Sequence, residues 1–164
     1  MRVKDLFSPT QKILADEHWM VTSRNALRCV LDNYRPEEVI MDYYQTDGGR
    51  LCRTFKDDCV VRSISTVLRK PYREVFTDLM NLGLEIGAYP NHDKVWQKYC
   101  EDNGLVKCKP PRNSQGKYIK LQDWDFNGRA VVRNSGHLTA VDSGTVIDSW
   151  DCRYRPVNTY WKHN

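Results

Sequence analysis

An α+β fold, with helices packed on one side of an antiparallel β-sheet, is what this 164-residue chain predicts. Three observations lead there. From Asp57 to Gly104, apolar residues recur at three- and four-residue steps, the period of helices with one buried stripe. Beyond that point the period shortens, and β-branched or aromatic runs alternate with Gly, Asn, Asp and Ser, as in an antiparallel meander. Helices first and strands afterwards segregate into a helical layer beside a sheet.

The elements follow in chain order. Ser8-Pro9 is a helix start, with Ile13, Leu14 and Trp19 as its face, and Thr22 or Ser23 opens a second helix carrying Leu27, Val30 and Leu31. The turn signal "TDGG" then sits inside a hairpin expected across Val39 to Phe55. Residues 1–55 are therefore a mixed lead-in of unknown role, packed on a core formed by residues 56–164. In that core, Val61, Ile64 and Leu68 line a helix opening at Asp57. Pro71 begins another, with Val75, Phe76 and Leu79 inward. A third is capped by Asn91, buried through Val95, Trp96 and Tyr99, and stopped by Gly104. The strands are "KYIKL", "RAVVRN", "HLTAV", "TVIDSW" and "NTYW".

Composition narrows the function classes. With 40% hydrophobic and 11% aromatic residues, the chain has enough apolar surface to offset the entropy of ordering, so disorder is excluded. The net charge of +4 is dispersed among 21 acidic residues, and no basic run is interleaved with aromatics, so nucleic acid is not an expected partner. The N-terminus lacks an apolar stretch of signal-peptide length, and nothing approaches the ~18 apolar residues of a membrane span. A cytoplasmic protein with no membrane partner is expected. Its six cysteines, at 29, 52, 59, 100, 108 and 152, are then reduced, and none forms a C-x-x-C pair. Neither a metal nor an organic cofactor is expected.

The chemistry concentrates in "KDDCVVRSISTVL" and "HLTAVDSGTVIDSW". Cys59 stands in the first turn of a helix, where unsatisfied N–H groups favour thiolate and can meet a developing oxyanion. A turn at Asp142-Ser143 puts His137 opposite Asp148, and a turn one residue longer puts them on a diagonal. The carboxylate would then hold one ring nitrogen and leave the other as a base. Cys59, His137 and Asp148 fill the roles of nucleophile, base and orienter. Asp57 and Asp58 oppose thiolate formation unless they turn aside to cap the helix. Trp150 shields the His–Asp contact or is a core aromatic. Cys29, Cys52, Cys100, Cys108 and Cys152 read as structural thiols, and His18, His92 and His163 as surface residues.

The order Cys59, His137, Asp148, with a Cys opening a helix and a His opening a later strand, resembles the papain-like cysteine peptidase superfamily, in a small form similar to those encoded by bacteriophages and bacteria. "CVVRSIS", from Cys59 to Ser65, is similar to the cysteine motif of ovarian-tumour-type deubiquitinases. The resemblance covers about Asp57 to Trp150. It implies a papain-like fold and a cysteine peptidase or isopeptidase acting on a protein or peptide, in a host cytoplasm if phage-encoded. Those enzymes carry an upstream Gln that completes the oxyanion hole; Arg53 occupies its place. Gln45 looping in, or Asp57 organising backbone amides, would supply that support instead. A catalytically silent protein that binds a host protein, or an acyl transferase on the same three residues, is the alternative.

Overall fold

The computed structural model describes residues 41–51 and 57–164. The two helices expected near the N-terminus and most of the returning strand in "RLCRTF" lie outside these residues, as do Arg53, His18, Cys29 and Cys52.

Among the described residues, three helices and a six-stranded sheet make an α+β fold. Strand β1 (Asp42–Gln45) is followed by α1 (Cys59–Leu68), α2 (Tyr72–Ile86) and α3 (Asp93–Asp102). Then come β2 (Leu105–Cys108), a 3-10 turn at Leu121–Asp123, β3 (Arg129–Asn134), β4 (His137–Asp142), β5 (Thr145–Asp148) and β6 (Thr159–His163). The sheet order is β1-β5-β4-β3-β6-β2.

The sheet corrects the expectation of a purely antiparallel arrangement. All neighbours pair antiparallel except β1, which lies parallel to β5. Among the described residues β1 has no hairpin partner of its own; "TDGG" does turn, with Thr46 and Asp47 side chains accepting from Gly48 N–H and Gly49 N–H. The sheet thus takes in a strand from upstream of residue 56.

Burial explains the helices. On α1, Val60, Val61, Ile64 and Val67 are all buried, a stripe broad enough to sit between the sheet and its neighbours. The helix closes at Arg69, whose left-handed φ of 54° lets Lys70 N–H return to Ser65 O. On α2 the buried positions are Tyr72, Val75, Leu79 and Gly83. Phe76 was expected among them, yet it lies at the stripe's edge, 38% exposed, and stacks on Tyr72. His92 rather than Asn91 caps α3, its ring accepting Lys94 N–H. Gly104, at φ 79°, then reverses the chain into β2, an edge strand that the sequence pattern did not signal.

Two apolar clusters flank the sheet. Val131, Leu138, Ala140 and Trp161 face the helices, while Ala130, Val132, Val141 and Val146 face a cover that includes Met41, Leu121, Trp124 and Cys152. "KYIKL" belongs to this cover and is not a strand. Lys120 makes an isolated bridge to Pro156, which lacks the N–H needed to continue a ladder. No described helix is long and apolar enough to cross a membrane.

Candidate active site

The β4–β5 turn fixes the relation between His137 and Asp148. Ser143 and Gly144 both have positive φ, at 51° and 76°, so they form the two-residue turn and Asp142 stands opposite Thr145. The register is therefore two residues away from the direct His137–Asp148 pairing. A shift of two preserves the face on which each side chain projects, whereas a shift of one would have separated them. Across this diagonal, His137 Nε2 donates to Asp148 Oδ2 at 2.7 Å. Nε2 being committed, Nδ1 is the ring nitrogen available to Cys59.

Cys59 reaches the same place from the helical layer. The β4–β5 ladder stops at the Ala140–Ile147 pair, short of His137, and the N-terminus of α1 meets this open end. The half-buried Cys59 lines the same cleft as His137 and Leu138. Burial by itself raises the pKa of its thiol; the proximity of the His137 ring and the Leu138 backbone, with the charges of His137 and Arg62, outweighs burial, and the net shift is downward. Burial lowers the His137 pKa, but hydrogen bonds to Asp148, Cys152 and Cys59 reverse this and raise it well above the ordinary value. The opposite shifts favour a thiolate beside an imidazolium.

The acidic pair before Cys59 behaves differently from the expected cap. Asp58 makes no side-chain cap hydrogen bond. Its buried carboxylate takes both Nε and Nη2 of Arg50, at 2.7 and 2.8 Å, and Arg62 Nε at 2.9 Å. Tyr72 donates its hydroxyl to the same group. Burial would raise the Asp58 pKa, and the two guanidiniums lower it, so the residue stays ionised with its charge already matched. Its effect on the neighbouring thiol is thereby muted. Asp57 lines the cleft and accepts Asn91 Nδ2 at its carbonyl, 2.9 Å away.

Asp148 is buried and engaged at both oxygens: Oδ2 with His137, Oδ1 with Arg62 Nη1 at 2.8 Å and with Ser149 N–H at 2.6 Å. Burial raises its pKa, and the bonds from His137 and Arg62 pull it below the usual carboxylate range. Cys152, four residues on, sets its sulfur 3.8 Å from Oδ2. His137, Asp148 and Cys152 thus lie close together, their donor atoms within 4.8 Å of one another. A metal ion there would have to displace the His137–Asp148 hydrogen bond and share the carboxylate with a guanidinium, so the geometry is that of a hydrogen-bonded group. Cys152 is fully buried, which leaves Cys59 as the accessible thiol of the two.

An open cleft of about 780 Å³ lies above Cys59 and His137. Trp96, Asn91 and the Arg133–Asp93 ion pair form part of its wall, and Trp150 packs against the His137 ring with centroids 5.1 Å apart. Gln45 is exposed on β1 with its amide directed to Ser149 O at 3.5 Å, and it does not line the cleft. The residues that sequence reasoning missed are Arg50, Arg62, Tyr72 and Cys152. One signal was available: Asp58 and Arg62 stand four apart on a helix, the spacing of an ion pair.

Fold and site together define an α+β protein with a Cys–His–Asp arrangement at the floor of a cleft. No family model, curated protein or solved structure matches the chain.

Proposed function

We propose that this protein is a thiol hydrolase, a papain-like cysteine peptidase or isopeptidase working on a protein or peptide. The observation that supports this best is the half-buried Cys59 at a helix N-terminus, lining one cleft with a His137 ring that Asp148 holds at 2.7 Å. Cys59 Sγ attacks the carbonyl carbon, and the oxyanion forms beside the N–H groups of the first turn of α1, which have no intrahelical acceptor. The His137 imidazolium gives its proton to the leaving amine, and a thioester remains. Neutral His137 then takes a proton from water, whose oxygen attacks the thioester. The carboxylic acid departs and the thiolate–imidazolium pair returns. Asp148 holds the ring throughout.

A catalytically silent protein is the second reading, favoured by the position of Gln45, which lies outside the cleft lining. Transfer of the acyl group to an amine is open to the same residues. The experiment is alkylation by iodoacetamide at pH 6, followed by peptide mass spectrometry. Selective modification of Cys59 is expected. Slow, equal labelling of every accessible cysteine would overturn the enzyme reading.

A further inference from the structure

We propose that Arg62 is a positioning residue of this site, its guanidinium setting the pose of Asp148, and through it the His137 ring, while tying the nucleophile's helix to the β4–β5 hairpin. The inference rests on the thiol-chemistry reading and concerns how that site is held.

Arg62 lies one turn beyond Cys59 on α1, and its side chain is 5% exposed. Among the described residues it alone touches both buried carboxylates, giving Nε to Asp58 Oδ1 and Nη1 to Asp148 Oδ1. This leaves Asp148 Oδ2 for His137. Oδ1 also accepts the N–H of Ser149, the next residue in sequence, at 2.6 Å; the guanidinium adds a planar, immobile grip on that oxygen from the helical layer. The stem of Arg62 is held in turn by Gly48, where a Cβ would stand 3.1 Å from Arg62 Cγ, so the turn after β1 closes over it.

The contacts form a chain of alternating charge: Arg50, Asp58, Arg62, Asp148, His137, Cys59. With the thiol and imidazole neutral, two cations face two anions; with the thiolate–imidazolium pair formed, three face three. Proton transfer from Cys59 to His137 therefore leaves the buried network balanced in either state. Among the described residues the Tyr72 hydroxyl and the Cys152 thiol also touch these carboxylates, and the Tyr43 hydroxyl stands 3.5 Å from the Asp148 carbonyl. Lysine at position 62 keeps the charge but reaches only one carboxylate at a time.

The test compares the pH dependence of Cys59 alkylation in the wild type, Arg62→Lys, Asp148→Asn and the double variant, with circular dichroism to verify folding. Loss of one charge-assisted hydrogen bond corresponds to about tenfold in an equilibrium. Arg62→Lys is thus expected to cut the pH 6 rate about tenfold by moving the acid limb upward, with the rate at high pH unchanged. In the Asp148→Asn background the same substitution is expected to change nothing. An unmoved limb in folded Arg62→Lys, or an equal shift in both backgrounds, would overturn the proposal. A wild-type limb at the position of an ordinary thiol would instead overturn the hydrolase reading. If Arg62→Lys does not fold, the Arg62 Nε–H resonance of the wild type decides: it is expected to titrate along the alkylation limb, and a flat response refutes the link.

Discussion

Replacing His137 by Ala removes the largest influence that lowers the Cys59 pKa and leaves burial, which raises it, opposed only by the Leu138 N–H and the charge of Arg62. The thiol then returns to its ordinary value of 9.0 or above. At pH 6 such a thiol is ionised about one part in a thousand, whereas the lowered pKa of the thiol beside His137 gives a larger thiolate fraction. The gain in thiolate is partly offset, because nucleophilicity falls with pKa along a Brønsted slope of about 0.4–0.5. Each unit by which the pKa rises then costs about threefold in net rate at a pH well below it, so iodoacetamide alkylation of Cys59 at pH 6 is expected to slow in His137→Ala, while the two rates converge above pH 9. Quantifying the Cys59 peptide by mass spectrometry at timed intervals reads this directly. Equal rates at pH 6 in a folded His137→Ala variant would refute the coupling between thiol and imidazole.

Other perturbations separate the site from its support. Asp58 and Asp148 have folded pKa values below the ordinary 3.8, so their contribution to stability is present above that value and lost as pH falls through the folded values. His137, whose folded pKa is raised above 6.5, contributes fully below 6.5 and loses its contribution only as pH rises through the folded value, so it does not cause acid unfolding. Urea midpoints are expected to drop between pH 5 and pH 2, and the drop is expected to be smaller in Asp148→Asn; an unchanged slope would count against the buried pairing. Ile64→Ala empties a fully buried position on α1 and is expected to cost about 2–4 kcal/mol in urea unfolding. Gly83→Ala sets a Cβ 2.6 Å from Ala88 O, and overpacking there is expected to cost about 1–3 kcal/mol and lower the melting temperature.

What could be read from sequence alone follows the range of the interactions involved. Helices α1 to α3 declare themselves through local periodicity, and β3 to β6 through short apolar runs. The His137–Asp148 contact was legible because both residues sit near one tight turn, and an error of two in register leaves the face unchanged. The pairing of β1 with β5 was not legible because that partner lies some hundred residues away, and a parallel neighbour leaves no local turn signal. β2 is a four-residue edge strand with two exposed positions, too short and too polar to stand out. "KYIKL" has the composition of a strand, yet the proline opposite it ends the ladder. Asp58 looked like a helix cap because capping is local, whereas the partners that claim it, Arg50 and Tyr72 besides Arg62, come from three separate segments. Buried charge networks of this kind depend on the tertiary fold, so Arg62 was visible in the sequence only as half of a helical ion pair.

The central claim is that Cys59, assisted by His137, accepts an acyl group. Rapid mixing with p-nitrophenyl acetate, followed by mass spectrometry of the quenched protein, tests it most directly. The account predicts a burst of nitrophenol that saturates with a single acetyl group on Cys59, absent in Cys59→Ala and slowed in His137→Ala. Acetylation spread over several side chains, or a burst that survives in Cys59→Ala, would contradict it.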